Sequence, residues 1–184
     1  MPSTRPSRRA RPLVLFALLV AACGGGGVSE APTGKAAFRL PTLDGKQLGP
    51  PDFRGRVVVV DFWASWCAPC HLQTAILERL RPEYARHGVE FLAVNSGEDE
   101  PTVRDFVADK PFTFPVVLDS DEKVSLKLGV LALPSLMIVD RQGEVSYFRA
   151  GIVPEKRLRE LLHAAGAPKL EAPPEPAAAP PTGG

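Results

Sequence analysis

Residues 57–80 read VVVVDFWASWCAPCHLQTAILERL, and this stretch decides the fold. It opens on four valines, Val57–Val60, a run too short for a helix core and β-branched throughout, which marks a strand buried on both faces. It closes on an amphipathic run in which Leu72, Ile76, Leu80 and Tyr84 recur every fourth residue, the spacing expected of one helix face. At the junction stand Cys67 and Cys70, the only two of the three cysteines close enough to meet. Cys67 therefore falls in the first turn of a helix, where unpaired N–H groups and the helix dipole favour a thiolate. Pro69 lies in the same turn, where its missing N–H costs nothing. A buried strand, a turn, a stabilised thiolate and a helix make a redox site.

Working outward, the segment DFWASWCAPC, residues 61–70, resembles the active-site segment of thioredoxins, apart from Ser65 and Ala68 at positions that vary there. Residues 88–145 contain GVEFLAVNSGEDEPTVRDFV, FPVVLDSDEKV and LGVLALPSLMIVDRQGEV, and resemble the ResA/TlpA branch of that family. Members of that branch are membrane-anchored, periplasm-facing thiol–disulfide proteins. The resemblance spans residues 37–165. It implies an α/β, thioredoxin-like three-layer fold with a mixed central sheet, an N-terminal β-hairpin and a strand–helix insertion between the two halves of the core.

The remaining elements fit that plan. Phe38–Leu43 and Lys46–Leu48 flank Asp44-Gly45, a hairpin signal. The active-site helix runs to Arg81, where Pro82 is expected to kink or end it. A strand over Val89–Asn95 precedes a helix over Glu100–Asp109 with Val103, Phe106 and Val107 on one face. A strand over Phe114–Leu118 and a short helix over Asp121–Leu128 form the insertion, followed by strands over Ser135–Val139 and Glu144–Ala150 around a turn at Asp140–Gly143. Leu158, Leu161, Leu162 and Ala165 mark one face of a closing helix. The folded domain is thus expected over 36–166, with a disordered Pro/Ala-rich tail over 167–184.

The amino terminus reads as an address. Residues 1–22 carry a basic start and an apolar run, Leu13–Ala22, too short to span a bilayer, and are read as a signal peptide. Val20-Ala21-Ala22-Cys23 resembles a bacterial lipobox, which makes Cys23 the lipidated first residue of a tether over 23–35. The expected location is the bacterial cell envelope, as a periplasm-facing lipoprotein of the outer or inner membrane. The 184 residues are 45% hydrophobic and 23% charged, an ordinary globular composition. A net charge of +1, falling to about −3 once the arginines at 5, 8, 9 and 11 are removed, argues against a nucleic-acid partner.

A disulfide closing so small a loop restrains the unfolded chain by only about 2 kcal/mol, a poor staple but a serviceable reversible couple. In that couple Cys67, at an exposed helix end, attacks a substrate disulfide, and Cys70, deeper by a turn, resolves the mixed disulfide. The resemblance implies further roles. Pro134, in Leu133-Pro134-Ser135, occupies the cis-proline position facing the cysteines, and the backbone of Leu133 pairs with substrate. Trp63 and Trp66 flank the site, with Trp66, Ala68 and Pro69 meeting substrate; core packing is the other reading of Trp63. Asp61 matches the buried thioredoxin aspartate and serves as proton shuttle to Cys70. The ResA/TlpA branch often carries an acid three residues after the second cysteine and a proline two further on, where this chain has Gln73 and Ala75.

Cys67–His71 also fits C-x-x-C-H, the haem-attachment pattern. That reading needs a helical wrapper and usually a sixth ligand, whereas the motif follows a valine strand and Met137 lies within another. A metallochaperone or a non-catalytic thioredoxin-fold binding module is the other alternative. The favoured expectation is a monomeric reductase of protein disulfides, in cytochrome c maturation or envelope redox homeostasis. It uses no cofactor beyond the Cys67–Cys70 disulfide and draws electrons from a membrane thiol-transfer donor.

Overall fold

The computed structural model describes residues 32–110 and 112–170. The signal peptide, Cys23, the first part of the tether and the tail from 171 onward lie outside the described residues.

The hairpin forms as β1 (Leu40–Pro41) and β2 (Gln47–Leu48), antiparallel, with Leu40 opposite Leu48. Gly45 takes a φ of 79° in its turn, a conformation that glycine adopts without strain. Thr42 of the same hairpin bridges Val117 and so covers an outer strand of the main sheet.

That sheet has five strands: β3 (Val57–Trp63), β4 (Val89–Ser96), β5 (Val116–Asp119), β6 (Ser135–Val139) and β7 (Val145–Ala150). Their order is β5-β4-β3-β6-β7, with β4 parallel to β3 and to β5, and β6 antiparallel to β3 and to β7. Strand β3 is central and buried at every residue, as the valine run requires. The pleat sends its side chains alternately to two cores. Val57, Val59 and Trp63 pack in a cluster with Leu77, Leu80, Leu158 and Leu162, whereas Val58, Val60 and Phe62 join Leu40, Leu92 and Met137 on the other face.

Four helices complete the layers: α1 (Ala68–Tyr84), α2 (Glu100–Asp109), α3 (Lys123–Lys127) and α4 (Glu155–Ala164). Helices α1, α2 and α4 contribute to the first cluster, and α3 packs on the second through Val124. The inserted elements are present, with strand and helix each a little shorter or shifted from the sequence expectation.

Three expectations need correction. The buried face of α1 is Cys70, Gln73, Leu77, Leu80 and Tyr84; of the expected series Leu80 and Tyr84 are buried and Ile76 packs partly on the core, but Leu72 is 62% exposed. A strict spacing of four drifts around a helix of 3.6 residues per turn; the core face alternates threes and fours. Nor does Pro82 end α1, which continues to Tyr84. Proline there deletes one hydrogen bond in the last turn, and burial of Leu80 and Tyr84 holds the turn in place. Finally, the packed domain runs past residue 166. Ala167, assigned to the tail, is buried and donates its N–H to the Leu162 carbonyl at 2.9 Å, and Leu170 packs on the core.

Candidate active site

Strand β3 delivers its carboxyl end to a turn, 64–67, closed by the Cys67 N–H donating to the Ala64 carbonyl at 3.1 Å. Cys67 is the N-cap of α1 and Ala68 and Pro69 make its first turn. The cap position leaves Cys67 beside the unpaired N–H groups of the helix start. Cys67 and Cys70 are joined by a disulfide with an S–S distance of 2.04 Å and Cα atoms 5.3 Å apart. Cys70 is fully buried and Cys67 is only 3% exposed, so in this oxidised state Cys67 is buried rather than at the exposed helix end that the sequence suggested.

Asp61 lies on the same pleat face as Val59 and Trp63, and parity therefore places it beneath α1. It is wholly buried between Ala93 of β4 and Leu136 of β6. Thr74 of α1 donates its hydroxyl to Asp61 Oδ2 at 3.3 Å, while Oδ1 has no hydrogen-bond partner among the described residues. Burial pushes the carboxyl up to about 8, and the Thr74 hydrogen bond offsets only part of that. Thr74 also lines a surface cavity of about 200 Å³ with His71, Glu78, Phe106, Lys110 and Phe112.

The antiparallel pairing of β6 with β3 sets Ser135 opposite Phe62, so the segment before β6 arrives at the cysteine end of the sheet. There the Leu133–Pro134 peptide is cis. The Pro134 carbonyl accepts from the Gly151 N–H at 2.7 Å, and the Ser135 hydroxyl donates to the Ala132 carbonyl at 2.7 Å. Trp66 stands 72% exposed on the turn. Trp63 does not flank the site at the surface: it is fully buried, with ring centroids 5.3 Å from Phe106 and 4.7 Å from Phe112. Gln73, at the position where relatives carry an acid, is buried and accepts the Val153 N–H at 2.7 Å. His71 directs Nε2 to the Ser65 carbonyl at 3.0 Å; since a carbonyl only accepts, Nε2 carries the proton and has no lone pair there for a haem iron.

One buried group escaped the sequence reading. Glu98, 9% exposed in the loop after β4, accepts from the Ser65 N–H at 2.7 Å, the Ser65 hydroxyl at 2.5 Å and Asn95 Nδ2 at 2.6 Å.

The family model described as Redoxin matches residues 29–162. The thiol-disulfide oxidoreductase ResA of Geobacillus thermodenitrificans is 34% identical over 125 residues, covering 68% of this chain and 72% of its own. ResA of Bacillus thuringiensis subsp. konkukian is 32% identical over 133 residues, covering 72% and 75%. Among solved structures, a putative thiol:disulfide interchange protein DsbE from Chlorobium tepidum superposes with a TM-score of 0.67 at 31% identity, over 73% of this chain and 96% of that one. StoA from Bacillus subtilis gives 0.60 at 25% identity, over 71% and 98%.

Proposed function

This chain belongs to the Redoxin family, among its thiol–disulfide oxidoreductases, and we propose that it works as a reductase of protein disulfides outside the cytoplasm. The observation that carries this reading is the Cys67–Cys70 couple closed at the start of α1 over the buried carboxyl of Asp61.

In the reduced enzyme the Cys67 thiolate, held by the helix start, attacks one sulfur of a substrate disulfide. The substrate disulfide breaks, its second sulfur leaves as a thiolate, and Cys67 is joined to the sulfur it attacked. Asp61 then takes the Cys70 proton, and the Cys70 thiolate attacks the Cys67 sulfur. The second substrate thiolate leaves, and the enzyme ends with the disulfide seen here. Two electrons have passed to the substrate. A carboxyl raised to about 8 suits this task, because it exchanges a proton near neutral pH. The reaction runs on the disulfide alone, without a further cofactor.

A protein substrate is supported by the apolar side chains Trp66, Leu131 and Ile152, all exposed at the cysteine end of the sheet. The backbone at Leu133, beside the cis peptide, supplies hydrogen bonds to an extended substrate segment. The reducing direction is supported by the Ala68-Pro69 dipeptide, which resembles that of reducing relatives. A reductase in an oxidising compartment needs electrons from a membrane thiol-transfer partner. Lipidation of Cys23 would tether a monomeric domain to a membrane of the cell envelope, and apocytochrome c or other envelope proteins are the substrate class.

Equilibration with glutathione buffers tests direction. The expected potential lies well below about −120 mV, the value of a dedicated oxidase; a value near that end of the scale would overturn the assignment. Cys70→Ser is expected to trap mixed disulfides at Cys67, and their partners identify the substrates.

A further inference from the structure

Ser65 precedes Trp66 and Cys67, and every hydrogen-bonding group it owns is held by a side chain from elsewhere. Its N–H and hydroxyl both donate to Glu98, from the loop between β4 and α2. Its carbonyl accepts from His71, one residue after Cys70 in α1. Both grips are themselves anchored. Glu98 accepts from Asn95, which sits on β4 directly opposite Trp63 of β3. His71 packs its ring on Phe106 of α2, with centroids 5.3 Å apart. Gly97 makes the turn that aims Glu98 back at Ser65. Its φ is 80°, and a Cβ there would lie 3.1 Å from Glu122 Cδ.

This arrangement answers a physical problem. An indole carries 150–250 Å² of largely apolar surface, by the general estimate for aromatic side chains of about that size. On a free loop it would fold onto the nearest apolar surface to leave water. Here Trp66 stays exposed because the residue before it is fixed on three sides and the residue after it is bonded back to Ala64. A carboxylate as buried as Glu98 is costly unless each of its oxygens is bonded, and both are bonded here. We propose that Glu98 and His71 are positioning residues that lock the 64–66 turn so that Trp66 is presented to a protein disulfide beside Cys67. Neither exchanges protons or electrons with the substrate; they set where it binds. The inference rests on the reading above that Trp66 meets substrate. It also accounts for the histidine of the C-x-x-C-H pattern without haem.

The test is steady-state reduction of insulin by the chain lacking its signal segment, with dithiothreitol as electron source. Glu98→Ala is expected to raise KM on the order of tenfold with a smaller change in kcat, the pattern of lost binding. It should also change acrylamide quenching of the exposed tryptophan. Glu98→Gln is expected to return KM to within about twofold, because its amide oxygen can accept from Ser65 N–H and Asn95 while the Ser65 hydroxyl turns to accept from its NH₂. His71→Ala should raise KM by a lesser factor. If Glu98→Gln is as damaging as Glu98→Ala, charge and not position is at work, and the proposal falls. It falls too if Glu98→Ala lowers the melting temperature but leaves KM and quenching unchanged. Should Glu98→Ala not fold, Ser65→Ala and His71→Ala each break one side of the grip, and an unchanged KM in both overturns the proposal. Trp66→Ala separates this from the underlying reading. If it leaves KM unchanged, the substrate surface is misassigned; if it raises KM while Glu98→Ala does not, the surface stands and the positioning role is lost.

Discussion

Asp61 is a carboxyl on a valine strand, and its burial sets a pH dependence that unfolding experiments can read. Unfolded, an aspartate titrates near 4; in the fold this one is raised to about 8. Between these values the folded chain keeps a proton that the unfolded chain has released. The contribution of Asp61 to stability is therefore fullest below about pH 4 and falls by about 1.4 kcal/mol per pH unit as pH rises, levelling above about 8. Asp61→Asn removes that dependence. Urea unfolding of the two oxidised proteins should show a difference in favour of Asn that widens from pH 4 to 8; parallel curves would mean the carboxyl is not desolvated as its surroundings imply. The same variant should slow resolution by Cys70 on the order of 10²-fold, the scale of general acid–base catalysis, and accumulate mixed disulfide. Asp61 was legible through the resemblance, which matches it to the buried thioredoxin aspartate, while the face it shares with Val57 and Val59 emerged from the fold. Glu98 was not, because its partner Ser65 lies 33 residues away on another element and nothing within Ser96–Asp99 announces the pairing.

At the scale of elements, the active-site helix is fastened to the rest of the fold by a residue that local pattern could not explain. Gln73 faces inward on α1, and its side-chain oxygen accepts from Val153, between β7 and α4. Arg159 of α4 reinforces the same junction from 8% exposure, donating to Glu83 at 2.6 Å and to Glu155 at 2.9 Å. Helix α1 is therefore tied to α4 and to the segment before it by polar contacts as well as by its apolar face. Gln73→Leu keeps the volume but strands a buried N–H, at roughly 1–3 kcal/mol. The expected result is a lower urea midpoint with an unchanged slope; an equal or higher midpoint would show that added apolar burial outweighs the orphaned donor. The helix itself was readable from the cysteine turn and the amphipathic run, and Ile76, Leu80 and Tyr84 of that run do pack on the core; Leu72, placed on the same face by spacing alone, does not. Pro82 misled for a related reason: proline propensity is local, and burial of Tyr84 overrides it.

Across the whole molecule, the order of strands separates the place where the chain enters the fold from the place where sulfur chemistry occurs. Lys35 bridges Glu144, and Ala36 N–H donates to the Gly143 carbonyl at 3.1 Å, beside the turn between β6 and β7. Because β6 runs antiparallel to β3, with Val139 opposite Val58, that turn lies at the start of β3. Cys67 follows its end. Seven residues of strand, at about 3.3 Å each, therefore put roughly 20 Å between the entry point and the redox turn. A membrane tether at Cys23 would join the fold at the pole away from the disulfide, leaving the cysteine end free for large partners. Cys23→Ser in cells is thus expected to move the chain from the membrane to the soluble fraction, as one would follow by fractionation and immunoblotting. The purified variant should reduce insulin with kcat and KM within about twofold of the unsubstituted chain, since the described entry residues Lys35 and Ala36 pair beside the turn between β6 and β7, away from Cys67. Retention in the membrane fraction would remove Cys23 as the anchor. A large change in KM would mean instead that the amino-terminal segment reaches the far pole, against the direction in which the sheet sends it.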